Sequence, residues 1–202
     1  MSRASYDAIA AEWCAVRTRL PRKDAALFER FFAALPPKGD VLDLGCGSGL
    51  PVARLLCDRG LRVTGVDQSA KLLDAARQNV PEAELFEADL LQYRPVRRFH
   101  GIVFWDVLFH FPRESHRRIL EGIYGGLAPG GLAILSSGGS EDDLEPFTDT
   151  MFGVEFFYDA YPIDAFLELC QHVGFVVVHY ERVNLPDGGR DKGRIGVILE
   201  RD

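Results

Sequence analysis

The sequence predicts an α/β fold, in which a mostly parallel sheet is covered by helices on both faces. Two observations lead to this prediction. Short apolar runs typical of buried strands alternate with helix-forming segments between residues 40 and 136. The first run passes into a glycine-rich turn, DLGCGSG at residues 43–49, where a βαβ unit turns from strand to helix.

The glycine turn is the first candidate binding site. Gly45, Gly47 and Gly49 permit positive φ and remove Cβ atoms that would keep a ligand away from the backbone. A helix predicted from Leu50 to Asp58 points its free N–H groups toward the turn. The alternative is a plain strand-to-helix turn without a ligand.

A carboxylate follows the second predicted strand, Leu61 to Val66. Asp67 lies about 20 residues beyond the glycines, where a nucleotide-binding βαβ unit places the acid that accepts from the ribose hydroxyls. The alternative role for Asp67 is a helix N-cap, which Ser69 can fill equally well. The two signals together favour a nucleotide-like ligand.

Length and composition argue against several classes of protein. A chain of 202 residues is most simply one domain. The net charge of -7 argues against a nucleic-acid-binding surface, and no apolar run approaches the length of a membrane span. The cysteines are scattered, so we expect no metal site and a cytoplasmic protein with reduced thiols; they are Cys14, Cys46, Cys57 and Cys170.

The predicted elements divide the domain into four parts. Residues 1–38 form a helical cap, with helices over 5–20 and 22–35 that end at prolines. The first helix is predicted from an apolar stripe at spacings of three and four, formed by Tyr6, Ile9, Trp13, Val16 and Leu20. Residues 39–137 form the binding core. The further core strands are expected at 83–88, 99–105 and 132–136, and its helices at 69–79 and 113–127, the last stopped by Pro129-Gly130-Gly131.

The last two parts differ from the core. Residues 138–161 are a long insertion that ends with five aromatic side chains between 152 and 161, which suggests a segment that folds over a ligand, although the rings could equally pack on the core. Residues 162–202 contain a helix over 163–173 and strands over 175–183 and 194–199. A short turn-rich link joins these strands, so they must be antiparallel.

Five segments carry a family resemblance: DLGCGSG (43–49), GVDQSAKLL (65–73), EADL (87–90), FHGIVFWDVLFHFPRE (99–114) and LAPGG (127–131). In order and spacing they resemble the motifs of small bacterial class I S-adenosylmethionine (SAM)-dependent methyltransferases. The resemblance implies a Rossmann-like sheet of seven strands in the order 3-2-1-4-5-7-6, with the last strand antiparallel. It also implies SAM as the methyl donor and S-adenosylhomocysteine (SAH) as the product.

The resemblance further implies residue roles. Asp43 would bind the methionine amino group, and the glycine turn with Cys46 would lie against the amino-acid and sugar portions. Asp67 would bind the ribose, while Gln68, Asp89 and Leu90 would contact the adenine. Trp105 and Asp106 would line the methionine end, and Tyr6 would act as an N-terminal lid residue; alternatively, Trp105 belongs to the core and Asp106 caps a helix.

His110 is the candidate general base, because it follows the fourth strand at the edge where ligands bind in such folds. The alternative is a structural histidine between Phe109 and Phe111 or bonded to a nearby loop. His116, on the next helix, is expected on the surface.

The chemical class of the methyl acceptor is limited mainly by excluding known motifs. WDVLFHFP lacks the NPPY or DPPY pattern of the methyltransferases that modify adenine or glutamine, which leaves an oxygen, nitrogen or carbon nucleophile of a small molecule. The aromatic residues of the cap and of 152–161 suggest a partly apolar acceptor, such as an aromatic one. A SAM-binding sensor without transfer activity and a peptide acceptor remain open. NAD(P) binding is less favoured, since Leu50 is bulky where a dinucleotide fingerprint needs a small residue. Both monomer and homodimer are compatible with the sequence.

Overall fold

The main sheet has seven strands in the order β3-β2-β1-β4-β5-β9-β8. The computed structural model describes residues 3–187 and 192–202. The strands of this sheet are β1 (Asp40–Leu44), β2 (Arg62–Asp67), β3 (Glu84–Glu87), β4 (Phe99–Phe104), β5 (Leu127–Gly138), β8 (Phe175–Asn184) and β9 (Arg194–Arg201). Strands β1 to β5 pair in parallel, and β9 runs antiparallel to both β5 and β8. The predicted fold class and strand order are therefore confirmed.

In the part of the chain that the structure describes, seven α-helices, two 3₁₀ helices (Leu108–His110 and Arg113–Ser115) and a separate hairpin complete the fold. The helices are α1 (Arg3–Ala8), α2 (Ala10–Val16), α3 (Arg22–Ala34), α4 (Val52–Asp58), α5 (Ala70–Asn79), α6 (His116–Gly126) and α7 (Ile163–Val173). The hairpin, β6 (Phe147–Met151) and β7 (Val154–Tyr158), lies within the predicted insertion. Among the residues described, no helix is long and apolar enough to cross a membrane.

Both faces of the sheet are buried, which explains the continuous apolar runs of its strands. Apolar side chains of α6 and α7 pack in one cluster with Leu42 and Ile102. Those of α3, α4 and α5 pack in another with Val41 and Val103. Neighbouring strand residues thus point to opposite faces, as the pleat requires.

The N-terminal helix differs from its prediction. The predicted helix over 5–20 is interrupted at Ile9 and ends at Val16, whose side chain is 56% exposed rather than on the apolar face. Because of this interruption, Tyr6 and Ile9 face the core and form a small buried cluster with Leu72 of α5 and Phe156 of β7. Tertiary packing of the cap on the core therefore overrides the helical period.

Two later predictions also need correction. Strand β5 begins at Leu127, five residues early, because Leu127 pairs with Phe99 and the next register pair is Gly101 with Leu132. The Pro-Gly-Gly residues form an irregularity within the strand rather than its start. His116 is fully buried, not on the surface, and one ring nitrogen, Nε2, lies 3.0 Å from the carbonyl oxygen of Phe111.

Candidate active site

A small cavity of about 50 Å³ lies at the carboxyl ends of β1, β2 and β4. This is the edge at which open α/β sheets bind ligands. Helices α1 and α2 contribute Tyr6, Trp13 and the following Arg17 to its wall. The other lining residues come from the strand ends and their turns: Asp43, Gly45, Cys46, Gly47, Leu50, Pro51, Val52, Asp67, Leu72, Trp105, Asp106 and Val107.

The glycine turn has the conformation that its sequence predicts. Gly45 has φ of +81°, and a Cβ there would lie 2.5 Å from Cγ2 of Val107. Gly49 also has positive φ, but a Cβ there would lie 2.7 Å from Cγ2 of Val80. The lack of a side chain at Gly49 therefore allows the turn to pack closely against the end of α5. Gly49 lies outside the described lining of both cavities.

Asp43 is the most unusual polar group of the cavity. Its side chain is buried at the end of β1, and its Oδ2 has no hydrogen-bond partner among the described residues. Burial, reinforced by the nearby Asp67, raises the pKa of Asp43 to about 7. A buried acceptor without a partner is costly, so a ligand that brings a cation or an N–H donor to Asp43 is favoured.

Asp67 closes the turn from the neighbouring strand. Its Oδ2 accepts from the Gly47 amide at 2.8 Å, and its Oδ1 accepts from the Ser69 amide at 2.9 Å. Ser69, not Asp67, is the N-cap of α5, because its hydroxyl accepts from the Leu72 amide. Burial raises the pKa of Asp67, although the backbone donors oppose this effect. Each carboxylate oxygen keeps capacity for a further hydrogen bond.

The remaining residues predicted at the adenine side lie farther out. Gln68 is buried, lies outside the cavity lining, and its Nε2 has no partner among the described residues. Asp89 is exposed and accepts from the Leu91 amide and Gln92 Nε2. Leu90 is partly buried against the core. The structure does not bring Asp89 or Leu90 into either described cavity.

Trp105 both packs in the core and lines the cavity. Its indole Nε1 donates to Oδ2 of Asp24, a buried residue of α3, at 3.1 Å. The same carboxylate oxygen accepts from Nη2 of Arg194 at 2.7 Å. The predicted cavity residue therefore also belongs to a buried polar network that joins α3 to β9.

Asp106 has an unusual backbone, with φ of +60°, and is the centre of an ion-pair network. It accepts from Arg17 Nη2 at 2.7 Å, from Arg194 Nη1, and from the Ser136 hydroxyl at 3.1 Å. Burial opposes ionisation, but the two guanidinium groups outweigh it, so the pKa of Asp106 is lowered. The carboxylate is thus ionised and held rigidly, and it does not cap a helix.

A second, larger cavity of about 610 Å³ adjoins the first. Four residues line both cavities: Tyr6, Trp13, Arg17 and Asp106. We call this set the junction. Beyond it, the second cavity is bounded by β9, by residues 138–149 and by aromatic side chains, which include Phe109, Phe147, Tyr158 and Tyr161.

His110 lies between the cap and the hairpin. Its Nδ1 is 3.0 Å from the carbonyl oxygen of Phe157, which can only accept, so Nδ1 carries the proton. Nε2 consequently accepts from the hydroxyl of Tyr6, at 3.2 Å. Burial lowers the pKa of His110 to about 4, so the ring is neutral at physiological pH with both nitrogens engaged.

Among the cavity residues that sequence reasoning missed are Trp13, Arg17, Asp24 and Arg194. Trp13 shares the apolar helical stripe of Tyr6, and that stripe was the only signal for it. The arginines and Asp24 meet through contacts across 88 to 170 positions of the chain, which no local pattern reports.

Comparison with known proteins indicates a family. A family model described as a methyltransferase domain matches residues 16–180. Trans-aconitate 2-methyltransferase of Paracidovorax citrulli (strain AAC00-1) is 33% identical over 114 residues, which are 55% of this chain and 42% of that protein. Ubiquinone biosynthesis O-methyltransferase of Coxiella burnetii (strain Dugway 5J108-111) is 28% identical over 127 residues, 60% of this chain and 52% of that protein. The chain thus spans about half the length of these relatives.

Solved structures share the fold over nearly the whole chain. The DhpI–SAM–HEP complex has a TM-score of 0.76 at 24% identity and covers 98% of this chain and 95% of its own. The glycopeptide N-methyltransferase MtfA, complexed with SAH, has a TM-score of 0.68 at 20% identity. The match covers 95% of this chain and 96% of the MtfA chain. At these identities the likeness concerns the fold.

Proposed function

Because the chain belongs to the methyltransferase domain family, we propose that it transfers a methyl group from SAM to a small-molecule acceptor. The family predicted from the sequence is thereby confirmed, and it favours SAM over the dinucleotide alternative. The observation that carries the proposal is Asp43, a buried carboxyl with an unpartnered oxygen beside the glycine turn, in a cavity that opens toward a second one.

The residues present fit the cofactor. The amino group of SAM supplies the cation that Asp43 lacks, and the ribose hydroxyls can donate to Asp67. Gly45 and Gly47 allow close approach of the amino-acid and sugar portions, beside Cys46. When bound, SAM supplies an electrophilic methyl group on a sulfonium; the chain aligns the acceptor and excludes water.

The adenine end would extend outward from the cavity. Gln68, Asp89 and Leu90 follow β2 and β3 at the same edge of the sheet, so they remain the proposed adenine contacts. The buried amide Nε2 of Gln68 has no partner among the described residues, which suits a ring nitrogen as acceptor. Trp105 and Asp106 remain the proposed contacts of the methionine end.

The first cavity, at about 50 Å³, holds no more than a few water molecules. Its lid is the cap: a Cβ on Gly47 would lie 3.7 Å from the indole Nε1 of Trp13. Helices α1 and α2 must therefore shift when SAM enters, which makes Tyr6 and Trp13 the proposed lid residues. The hairpin β6–β7 packs against α1 and would move with it.

The acceptor would occupy the second cavity, and the methyl group would cross at the junction. The aromatic wall fits a small and partly apolar molecule. Two curated relatives are named trans-aconitate 2-methyltransferase and ubiquinone biosynthesis O-methyltransferase, which also favours a small-molecule acceptor. The general-base role of His110 stays a prediction; because Nε2 accepts from Tyr6, a proton can reach it only through that hydroxyl.

Titration calorimetry with SAM, SAH and NADH tests the proposal. We expect binding of SAM and SAH and none of NADH. Gly45→Ala should abolish binding, because a Cβ is both strained and crowded there. Gly60→Ala is the matched control: φ is +74°, but nothing lies within 4 Å of its Cβ and it is remote from the cavities. Binding of NADH alone would refute the proposal, and binding of SAM without turnover on any acceptor would favour the sensor alternative.

A further inference from the structure

The second cavity, where the acceptor is proposed to bind, indicates which atom of the acceptor is methylated. We propose that the acceptor is a small monocarboxylic acid with an apolar body, that Arg17 binds its carboxylate at the junction, and that this carboxylate is methylated without a general base. The inference rests on the proposed methyl transfer and specifies its substrate class.

Arg17 is the cation of the junction. Its Nη2 donates to Asp106, and its guanidinium lies 5.1 Å from the centre of the Trp13 ring. Nε and Nη1 make no hydrogen bond to the residues described, and the side chain is 23% exposed, so these donors are available to a ligand. A guanidinium with one face on an aromatic ring and an unused edge suits bidentate binding of a carboxylate.

The junction offers no base that is both free and basic near neutral pH. The lone pair on Nε2 of His110 accepts from Tyr6, and burial lowers the pKa of that histidine to about 4. Burial raises the pKa of the Tyr6 hydroxyl, and two arginines lower that of Asp106 despite its burial. Asp43 does not line the second cavity. An alcohol or an ammonium group must lose a proton to be methylated, whereas a carboxylate arrives with its nucleophilic lone pair.

The walls of the second cavity suit an apolar body. Tyr158 stacks between two phenylalanines, with ring centres 6.0 Å from Phe109 and 5.3 Å from Phe147. These three rings give the cavity an aromatic stretch of wall, and 610 Å³ is the size of ordinary small-ligand sites.

The rim of the cavity argues against a second negative charge on the acceptor. Among the described residues, its lining carries seven carboxylates against three cations. The carboxylates are those of Asp24, Asp106, Asp142, Glu145, Asp149, Asp159 and Asp187, and the cations are Arg17, Lys192 and Arg194. A polycarboxylate would place its other charges in this negative field, so we expect a monoanion.

The transfer balances without a proton. One carboxylate oxygen forms a bond to the methyl carbon as the carbon–sulfur bond breaks and its electron pair goes to sulfur. The products are a methyl ester and neutral SAH. Methylation of an alcohol or of an ammonium group would instead release one proton per turnover.

A matched ligand series tests the charge preference in a binding measurement. Thermal melting with saturating SAH is compared for 3-phenylpropionate, its amide, 3-phenylpropylamine and 3-phenylpropan-1-ol, with indole-3-acetate and octanoate as further monocarboxylates and tricarballylate as a polycarboxylate. We expect monocarboxylates to raise the midpoint at concentrations at least tenfold below those that the other compounds need. Preference for the amine, the alcohol or the tricarboxylate, or no shift with any monocarboxylate, would overturn the proposal.

The role of Arg17 is tested by selectivity rather than by activity. Arg17→Gln should reduce the preference for 3-phenylpropionate over its amide at least tenfold, and Arg17→Lys should restore part of it. Arg77→Gln, which alters an exposed pair with Asp74 on α5, is the control and should keep full preference. Retained preference in Arg17→Gln would contradict the assignment.

Proton release separates this inference from the proposed function. A pH indicator in weak buffer should report no proton released per SAH formed on the preferred acceptor. One proton per SAH would overturn the carboxylate assignment, while methyl transfer itself would stand. A large loss of turnover in His110→Gln, with the same proton yield per SAH, would then support His110 as a base.

Discussion

The hydroxyl of Tyr6 donates a hydrogen bond of 3.2 Å to Nε2 of His110, 104 positions away in the chain. The other ring nitrogen of His110 donates to the Phe157 carbonyl of the hairpin. One neutral imidazole therefore joins the N-terminal cap to the hairpin at the edge of both cavities.

Removal of the Tyr6 hydroxyl should destabilise the fold. Tyr6→Phe keeps the ring contacts with Trp13 and Phe156 but leaves the buried Nε2 of His110 without a donor. We expect a loss of about 1–3 kcal/mol in the free energy of unfolding, measured in urea. Tyr124→Phe is the control, because no hydrogen bond of its hydroxyl is found in the described structure, and it should change little. An equal effect of both substitutions would contradict the geometry.

The stability contributed by His110 should depend on pH. Its pKa is about 4 in the folded protein, below the value of 6.5 of a free histidine. The unfolded chain therefore binds more protons in this window, and stability falls as pH drops from about 6.5 toward 4. The unfolding free energy of wild type relative to His110→Gln should decline over that range. A constant difference would show that the imidazole is not buried in its neutral form.

Asp43 should have the opposite pH dependence. Its pKa is raised by burial to about 7, so the folded protein holds a proton that the unfolded chain releases above about 3.8, and stability falls as pH rises toward 7. Asp43→Asn should therefore gain stability relative to wild type as pH rises, until about pH 7, where the difference levels off. The same substitution should weaken SAH binding. Increased affinity, or a flat stability difference, would argue against this carboxyl as the ammonium site.

Arg194 should be essential to the buried network. It donates to Asp24 and Asp106 from its two terminal nitrogens. Arg194→Met leaves both carboxylates short of a partner, so we expect a loss of about 3–5 kcal/mol in unfolding free energy. Arg77→Met, on the surface, should stay within about 0.5 kcal/mol. If the double variant Asp24→Asn, Arg194→Met regains unfolding free energy relative to Arg194→Met, the uncompensated charge of Asp24 is the cause of the destabilisation.

The fold was predictable because its strands are buried on both faces. Continuous apolar runs such as Val41-Leu42 and Ile102-Val103 indicate such strands, and the glycine turn with Asp67 indicates the edge of the sheet where ligands bind. Local sequence patterns gave wrong element boundaries where tertiary contacts determine the end of a helix or strand. Val16 was placed on an apolar face because the period continued, whereas the chain turns at Ile9 and ends the helix to dock on α5 and β7.

The lining of the first cavity was more predictable from the sequence than that of the second. Asp43, Gly45 and Asp67 belong to motifs that are contiguous in sequence. In the second cavity, Arg17, Asp106 and Arg194 meet only after the cap and the last strand are in place. The pairing of Tyr6 with His110 likewise has no sequence signature, although both residues were individually singled out.

A crystal structure of the protein with SAH is the decisive test of the proposed cofactor site. We expect the SAH amino group within hydrogen-bond distance of Asp43 and the ribose hydroxyls on Asp67. We also expect the thioether sulfur to face the junction of Tyr6, Trp13, Arg17 and Asp106. A ligand bound away from Asp43 and the glycine turn, or a sulfur that faces away from the second cavity, would contradict it.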